Sequence, residues 1–199
     1  MNHAEHTTGT CRPRRVGRLV LSGCLLLMLA ACMTPARDAV GQMPGVSPSG
    51  VRYVVVRHAE KGNDDPKDPA LTEAGLLRAQ RLADSLADDP VVAVYSTAYR
   101  RTRDTAGPTA LRHGLEVTAY DAREEVESFT QGLRQRYPAG MVLIVGHSNT
   151  VPGIVASLCD CEVASIDEDE YDHRFIVAID ADGSAQVEDV PLLEGTPLP

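Results

Sequence analysis

The sequence predicts an α/β fold: a three-layer α/β/α sandwich around a mostly parallel central sheet. Three observations point there. Val54-Val55-Val56 and Val142-Leu143-Ile144-Val145 are short β-branched runs of the kind buried on both faces in parallel sheets. Between such runs lie longer segments with apolar residues at helical spacing, so strands alternate with helices. Both valine-rich runs also lead directly to a histidine, His58 and His147. Ligands of open α/β sheets gather beyond the carboxyl ends of the strands, so both imidazoles are expected at one functional edge.

In chain order, residues 51–56 form the first strand, and the polar stretch 63–69, with two prolines, is a loop. A helix is expected from Thr72-Glu73-Ala74-Gly75 to about Leu86, with Leu76, Leu77, Ala79, Leu82, Ala83 and Leu86 as its apolar stripe. Asp88-Asp89-Pro90 ends it, and residues 91–95 are the second strand. Ser96 or Thr97 can cap the next helix, which runs to about His113, where Gly114 provides the stop. Residues 115–120 make a third, less apolar strand. A helix over about 124–137 is broken by Pro138-Ala139-Gly140, and 141–145 are the fourth strand. The short helix 151–158 tolerates Pro152 in its first turn. Residues 175–179 and 185–190 read as later strands joined by a turn at 180–184.

The first segment reads differently. Arg12, Arg14, Arg15 and Arg18 precede an apolar run from Leu19 to Ala31, and Leu29-Ala30-Ala31 brings small residues up to Cys32. That is the layout of a bacterial secretory signal. It resembles a lipobox, which implies that Cys32 is lipidated and becomes the first mature residue. An ordinary cleaved signal or an uncleaved anchor is the alternative. A membrane span needs about 20 apolar residues, and this run is shorter and holds Ser22 and Gly23. Residues 1–31 are therefore expected to be a signal peptide, 32–49 a flexible tether rich in Pro and Gly, and 50–199 one domain. Met33 after the cysteine favours the outer membrane, facing the periplasm, if the host has two membranes.

Composition narrows the partners. Without residues 1–31 four arginines and one glutamate are lost, and the formal net charge moves from −9 to −12. Nucleic acid is then an improbable partner, and an anionic substrate needs a local basic pocket. Of five cysteines, only Cys159 and Cys161 fall in the expected domain. No further ligands at metal-site spacing lie close to them in sequence, and a structural pair, oxidised or not, is favoured over a redox centre.

The chemistry collects at three strand ends. The first delivers Arg57 and His58, the fourth His147, and the second Ser96-Thr97-Ala98-Tyr99-Arg100-Arg101, where a helix begins. A helix N-terminus attracts anions, and arginine adds a planar fork matched to phosphate oxygens. Taken singly, a histidine after a strand is more often a satisfied polar residue than a catalyst. Together, two histidines and two arginines at one edge suggest phosphate chemistry.

These residues also resemble a known family. Arg57-His58-Ala59-Glu60, Leu71-Thr72-Glu73-Ala74-Gly75, the block from Tyr95 to Ala106, and Gly146-His147-Ser148 are similar to the motifs of the histidine phosphatase superfamily, in a small branch 1 form. The resemblance implies a phosphoglycerate-mutase-like fold, and it covers roughly residues 51–180. The family arginine of the middle block falls on Arg101 when Thr105-Ala106 are matched.

What the resemblance implies is a metal-independent phosphomonoesterase with no cofactor, acting on a small phosphorylated substrate. His58 would attack phosphorus as neutral imidazole, while Arg57, Arg101 and His147 hold the non-bridging oxygens. Counting from Arg101 places the family's general acid at Glu125, although its surroundings lack the expected glycine-rich context. Lys61 is a further candidate for contact with substrate phosphate. Ser148, Asn149 and Thr150 read as loop-shaping residues, the acidic run 167–170 as a solvated face, and Tyr171 as an anchor for the strand that follows. The alternatives are a catalytically silent envelope lipoprotein that binds phosphate ligands, and a protein-phosphohistidine phosphatase.

Overall fold

The computed structural model describes residues 50–192. The signal segment, the tether and Cys32 lie outside the described residues. Six strands make one sheet: β1 (Val51–Arg57), β2 (Val91–Ser96), β3 (Val117–Ala119), β4 (Gly140–Gly146), β5 (Arg174–Ile179) and β6 (Ala185–Asp189). Their order across the sheet is β3-β2-β4-β1-β5-β6. The first four run parallel, whereas β5 is antiparallel to β1 and β6 to β5.

Strand alternation explains the two cores. Val51, Tyr53 and Val55 of β1 turn to one face, where they meet Leu133 and Ile154 beneath α3 (Val126–Arg136) and α4 (Val151–Cys159). Val54 and Val56 turn to the other, where Leu82, Ala106 and Ala110 come from α1 (Glu73–Ser85) and α2 (Arg100–Arg112). Each fully buried Val or Ile contributes about 1.5–3 kcal/mol. The result is the expected α/β/α sandwich. Among the described residues no helix is long and apolar enough to cross a membrane.

Two local expectations need correction. The buried stripe of α1 is Gly75, Ala79, Leu82 and Ala83, while Leu76 and Leu77 are exposed. Gly75 must face inward because a Cβ there would lie 2.4 Å from the Glu60 carbonyl. The N-cap of α2 is Tyr99, with no side-chain cap of its own, rather than Ser96 or Thr97. Asp68 supplies the acceptor from a distant loop, taking the Arg100 N–H at 2.8 Å. Cys159 and Cys161 are joined in a disulfide just past α4.

Candidate active site

Parallel register sets the frame. Arg57 at the end of β1 lies opposite Gly146 at the end of β4, and Ser96 of β2 lies opposite Val145. One residue further, the His58 N–H donates to the Gly146 carbonyl at 2.9 Å, which extends the ladder and fixes the histidine backbone. Gly146 has little freedom to change, since a Cβ there would stand 2.8 Å from Thr150 Oγ1 and 2.9 Å from the Tyr120 hydroxyl.

His58 is buried, with its Nδ1 2.8 Å from the Ala59 carbonyl. A carbonyl only accepts, so Nδ1 carries the proton and Nε2 keeps its lone pair. Burial pushes the imidazole pKa down to about 4, opposed by the Ala59 bond and assisted by the charges of Arg57, His147 and Arg101. At neutral pH the ring is therefore an uncharged base with the lone pair of one nitrogen free.

His147 sits edge-on to it, ring centroids 5.4 Å apart. Its Nε2 lies 3.0 Å from Thr97 Oγ1, and Thr97 in turn lies 2.8 Å from Thr102 Oγ1. Burial, then Arg101 and Arg57, pushes its pKa down to about 4 as well, with Glu168 pulling the other way. Two neutral imidazoles beside two guanidiniums form a site short of negative charge.

The two arginines are engaged differently. Arg101, in the first turn of α2, lays its guanidinium over the Tyr99 ring at 4.3 Å. Its nearest acid is Asp68 at 3.9 Å, and its buried Nε has no hydrogen-bond partner. Arg57 donates from Nη1 to the Asp167 and Glu170 carbonyls at 3.0 and 2.9 Å, and its Nη2 lies 3.2 Å from the Glu168 carboxylate. Tyr171 covers it, ring centroid 4.2 Å from the guanidinium carbon.

A layer of hydroxyls and carboxylates holds this arrangement. Thr105 Oγ1 accepts the Ala59 N–H at 2.9 Å and donates to the Arg101 carbonyl at 2.7 Å, tying the nucleophile's loop to α2. Thr72 caps α1 through the Gly75 N–H, and its own N–H donates to the Glu60 carbonyl. The Glu60 carboxylate takes a bidentate grip on Arg78 at 2.7–3.0 Å. Each of these residues is therefore a positioning residue.

The hollow above the strand ends has a volume of about 280 Å³, and His58, Lys61, Arg101, His147, Ser148 and Glu168 are among its walls. Arg57 backs it from behind Glu168 instead of lining it. Lys61 is present, as expected, 3.4 Å from Glu168. Glu125 is an exposed residue at the N-cap of α3 and lines none of this hollow.

The acidic run 167–170 keeps its expected solvated side chains at Asp167, Glu168 and Asp169, but its backbone has a second role. It folds over Arg57, because two buried guanidinium donors need acceptors and its carbonyls supply them. Glu168 was not among the candidates from sequence. Its carboxylate accepts from Ser148 at 2.7 Å and faces Lys61 and Arg57, and the Ser148 hydrogen bond leads in holding it below the usual carboxylate range. Tyr171, too, stacks on Arg57 as well as leading towards β5. An isolated acid run resembles any surface charge cluster; only the tertiary fold sets it against an arginine 111 residues away.

Residues 53–125 match the model of the histidine phosphatase superfamily (branch 1). The uncharacterized protein Rv0525 of Mycobacterium tuberculosis is 34% identical over 93 residues, which cover 44% of this chain and 46% of that one. The chain thus spans about half the length of the curated relatives it matches. Among solved structures, the protein histidine phosphatase SixA complexed with tungstate superposes with a TM-score of 0.60 at 18% identity, over 71% of this chain and 97% of that one. YhfR of Bacillus stearothermophilus gives 0.59 at 17% identity over 73% and 100%, and phosphoglycerate mutase of Bacillus anthracis 0.54 at 16% over 72% and 94%. These likenesses establish a phosphoglycerate-mutase-like fold.

Proposed function

We propose that this chain, a branch 1 member of the histidine phosphatase superfamily, is a phosphomonoesterase that works through a phosphohistidine at His58. The observation that carries this reading is the His58 hydrogen bond to the Ala59 carbonyl, which leaves Nε2 as the free nucleophilic nitrogen in a wall shared with Arg101, Lys61 and His147.

The Nε2 lone pair forms the new P–N bond as the ester P–O bond breaks and the alcohol oxygen departs with its electron pair. Arg101, with a donor to offer, holds the non-bridging oxygens, and His147 joins it by gaining a proton from the raised pKa that a phosphate dianion imposes. Arg57 adds its charge once Glu168 gives way to phosphate. Water then attacks phosphorus, the P–N bond breaks, and inorganic phosphate leaves. Arginine and lysine here take the charge-balancing place that a divalent cation holds in other phosphoryl-transfer sites.

The rest of the reading is envelope attachment through lipid at Cys32, supported by the basic and apolar segments before it. Hydrolysis of p-nitrophenyl phosphate by the full chain in detergent, with EDTA present, tests the chemistry. Activity is expected, lost in His58→Ala, together with an acid-labile, alkali-stable phosphoryl adduct in the wild type. Activity undiminished in His58→Ala would overturn it. Incorporation of labelled palmitate, abolished by Cys32→Ala, tests the anchor.

A further inference from the structure

Beside the cationic hollow lies a second cavity of quite different character. It measures about 210 Å³, and Ala122, Asn149 and Thr150 line both. One wall is the stacked pair Tyr120 and Phe129, ring centroids 4.5 Å apart and nearly parallel at 15°. Val126 and Ile154 add aliphatic surface. Asp121 and Glu124 stand at its exposed rim, Asp121 paired with Arg123 of the neighbouring hollow, and among the described residues no lysine or arginine lines the cavity itself. A phosphate has no reason to enter there. The neighbouring hollow, by contrast, has Arg101, Lys61 and His147.

We infer that this cavity receives the alcohol portion of the substrate, a flat aryl or similarly apolar group. The inference rests on the hydrolysis reading above and names the substrate class of that site. Size agrees: an apolar cavity of about 150 Å³ admits a benzene ring. The chemistry of departure agrees as well. Glu168 is the carboxylate lining the hollow with His58, and it is engaged by Ser148, Lys61 and Arg57. An alkoxide would need a proton on leaving. A phenolate, whose conjugate acid has a pKa near 10, departs far more readily without one.

Gly153 on α4 offers a clean test. It lines the cavity, and a Cβ built there meets nothing within 4 Å, so Gly153→Leu fills space without a backbone clash. Leucine is also the better helix former. In His58→Ala, which keeps the cradle but removes turnover, calorimetric titration compares 1-naphthyl phosphate with inorganic phosphate. Naphthyl phosphate is expected to bind at least about tenfold more tightly, and Gly153→Leu in the same background should erase that advantage while leaving inorganic phosphate bound. Equal binding of the two anions, or an advantage that survives Gly153→Leu, would overturn the inference whatever the wild type does in turnover. Binding as expected, with no hydrolysis by the wild type, would overturn the hydrolysis reading and leave the cavity assignment standing. If neither anion binds, both readings fall.

Discussion

Two arginines flank the same imidazole, one in the wall of the hollow and one behind it, and they are held by opposite means. On the α2 side, Arg101 emerges from a helix start that Thr97, Thr102 and Thr105 lock to the strand ends, and its nearest acid is Asp68 at 3.9 Å. On the other side, Arg57 is buried at a strand end, its Nη1 engaged by two carbonyls and its Nη2 by Glu168. On the proposed reading, Arg101 gives its charge to substrate directly. Arg57 organises the 167–171 loop first, and its charge reaches the hollow only past a carboxylate. Identical side chains thus differ in function because of what surrounds them.

The sharpest way to break this contrast is to remove each arginine. Arg101→Ala should lower kcat by about 10²–10³-fold, as loss of a donor to developing charge does, with little change in Tm. Arg57→Ala should lower activity too, but with a stability loss of about 1–3 kcal/mol from the Asp167 and Glu170 carbonyls left without a donor. Paired kinetic and thermal-unfolding measurements check both. Equal Tm losses in the two variants would erase the distinction.

Acid should act through the imidazoles. Both folded-state pKa values lie near 4, below the ordinary value of 6.5 for an unfolded histidine. Between those pH values the unfolded chain binds protons that the folded chain refuses. The stabilisation is thus fully present above about pH 6.5 and fades as pH falls towards 4. In the same range kcat/KM should hold until His58 itself protonates, so its acid limb should lie well below pH 6. A limb centred at the ordinary histidine pKa would contradict the burial that the fold imposes.

Glu168 allows a subtler probe. Its side chain is 74% exposed, yet it meets Arg57 and Lys61, so on the proposed reading it competes with phosphate for both. Exposed pairs contribute about 0.2–1 kcal/mol, so Glu168→Gln should lower Ki for inorganic phosphate by about two- to fivefold. A raised Ki would instead make Glu168 a ligand-supporting residue.

Much of this site was legible in the sequence because its signals are local. Valine runs announce strands, and a strand's end places the next residue at the sheet edge, so His58 and His147 could be read directly. Long-range effects were not legible. Ser96 and Thr97 looked like caps because capping is read from neighbours, yet Thr97 turns to His147, and Asp68 caps from a loop 32 residues away. The backbone role of the 167–170 run was hidden for the same reason: nothing within it reveals a buried arginine in need of acceptors. The stripe of α1 held at Ala79, Leu82, Ala83 and Leu86, but Leu76 and Leu77 were drawn into it by hydrophobicity against their phase, and Gly75 takes the inward place.

The smallest expected effect concerns the other acid. Glu125 stands at the N-cap of α3 with no side-chain cap bond, exposed and outside the cationic hollow. General acid catalysis requires the donor within hydrogen-bond reach of the departing oxygen, and this position does not provide it. Glu125→Gln should therefore change kcat for p-nitrophenyl phosphate by less than about twofold, and cost about 0.3–1 kcal/mol of stability at most, through lost interaction with the helix N-terminus. Poor leaving groups make the test stricter, since an acid matters most to them. If Glu125→Gln leaves the aryl ester untouched but slows an alkyl phosphate by 10²-fold or more, the α3 N-terminus must close over the hollow during turnover.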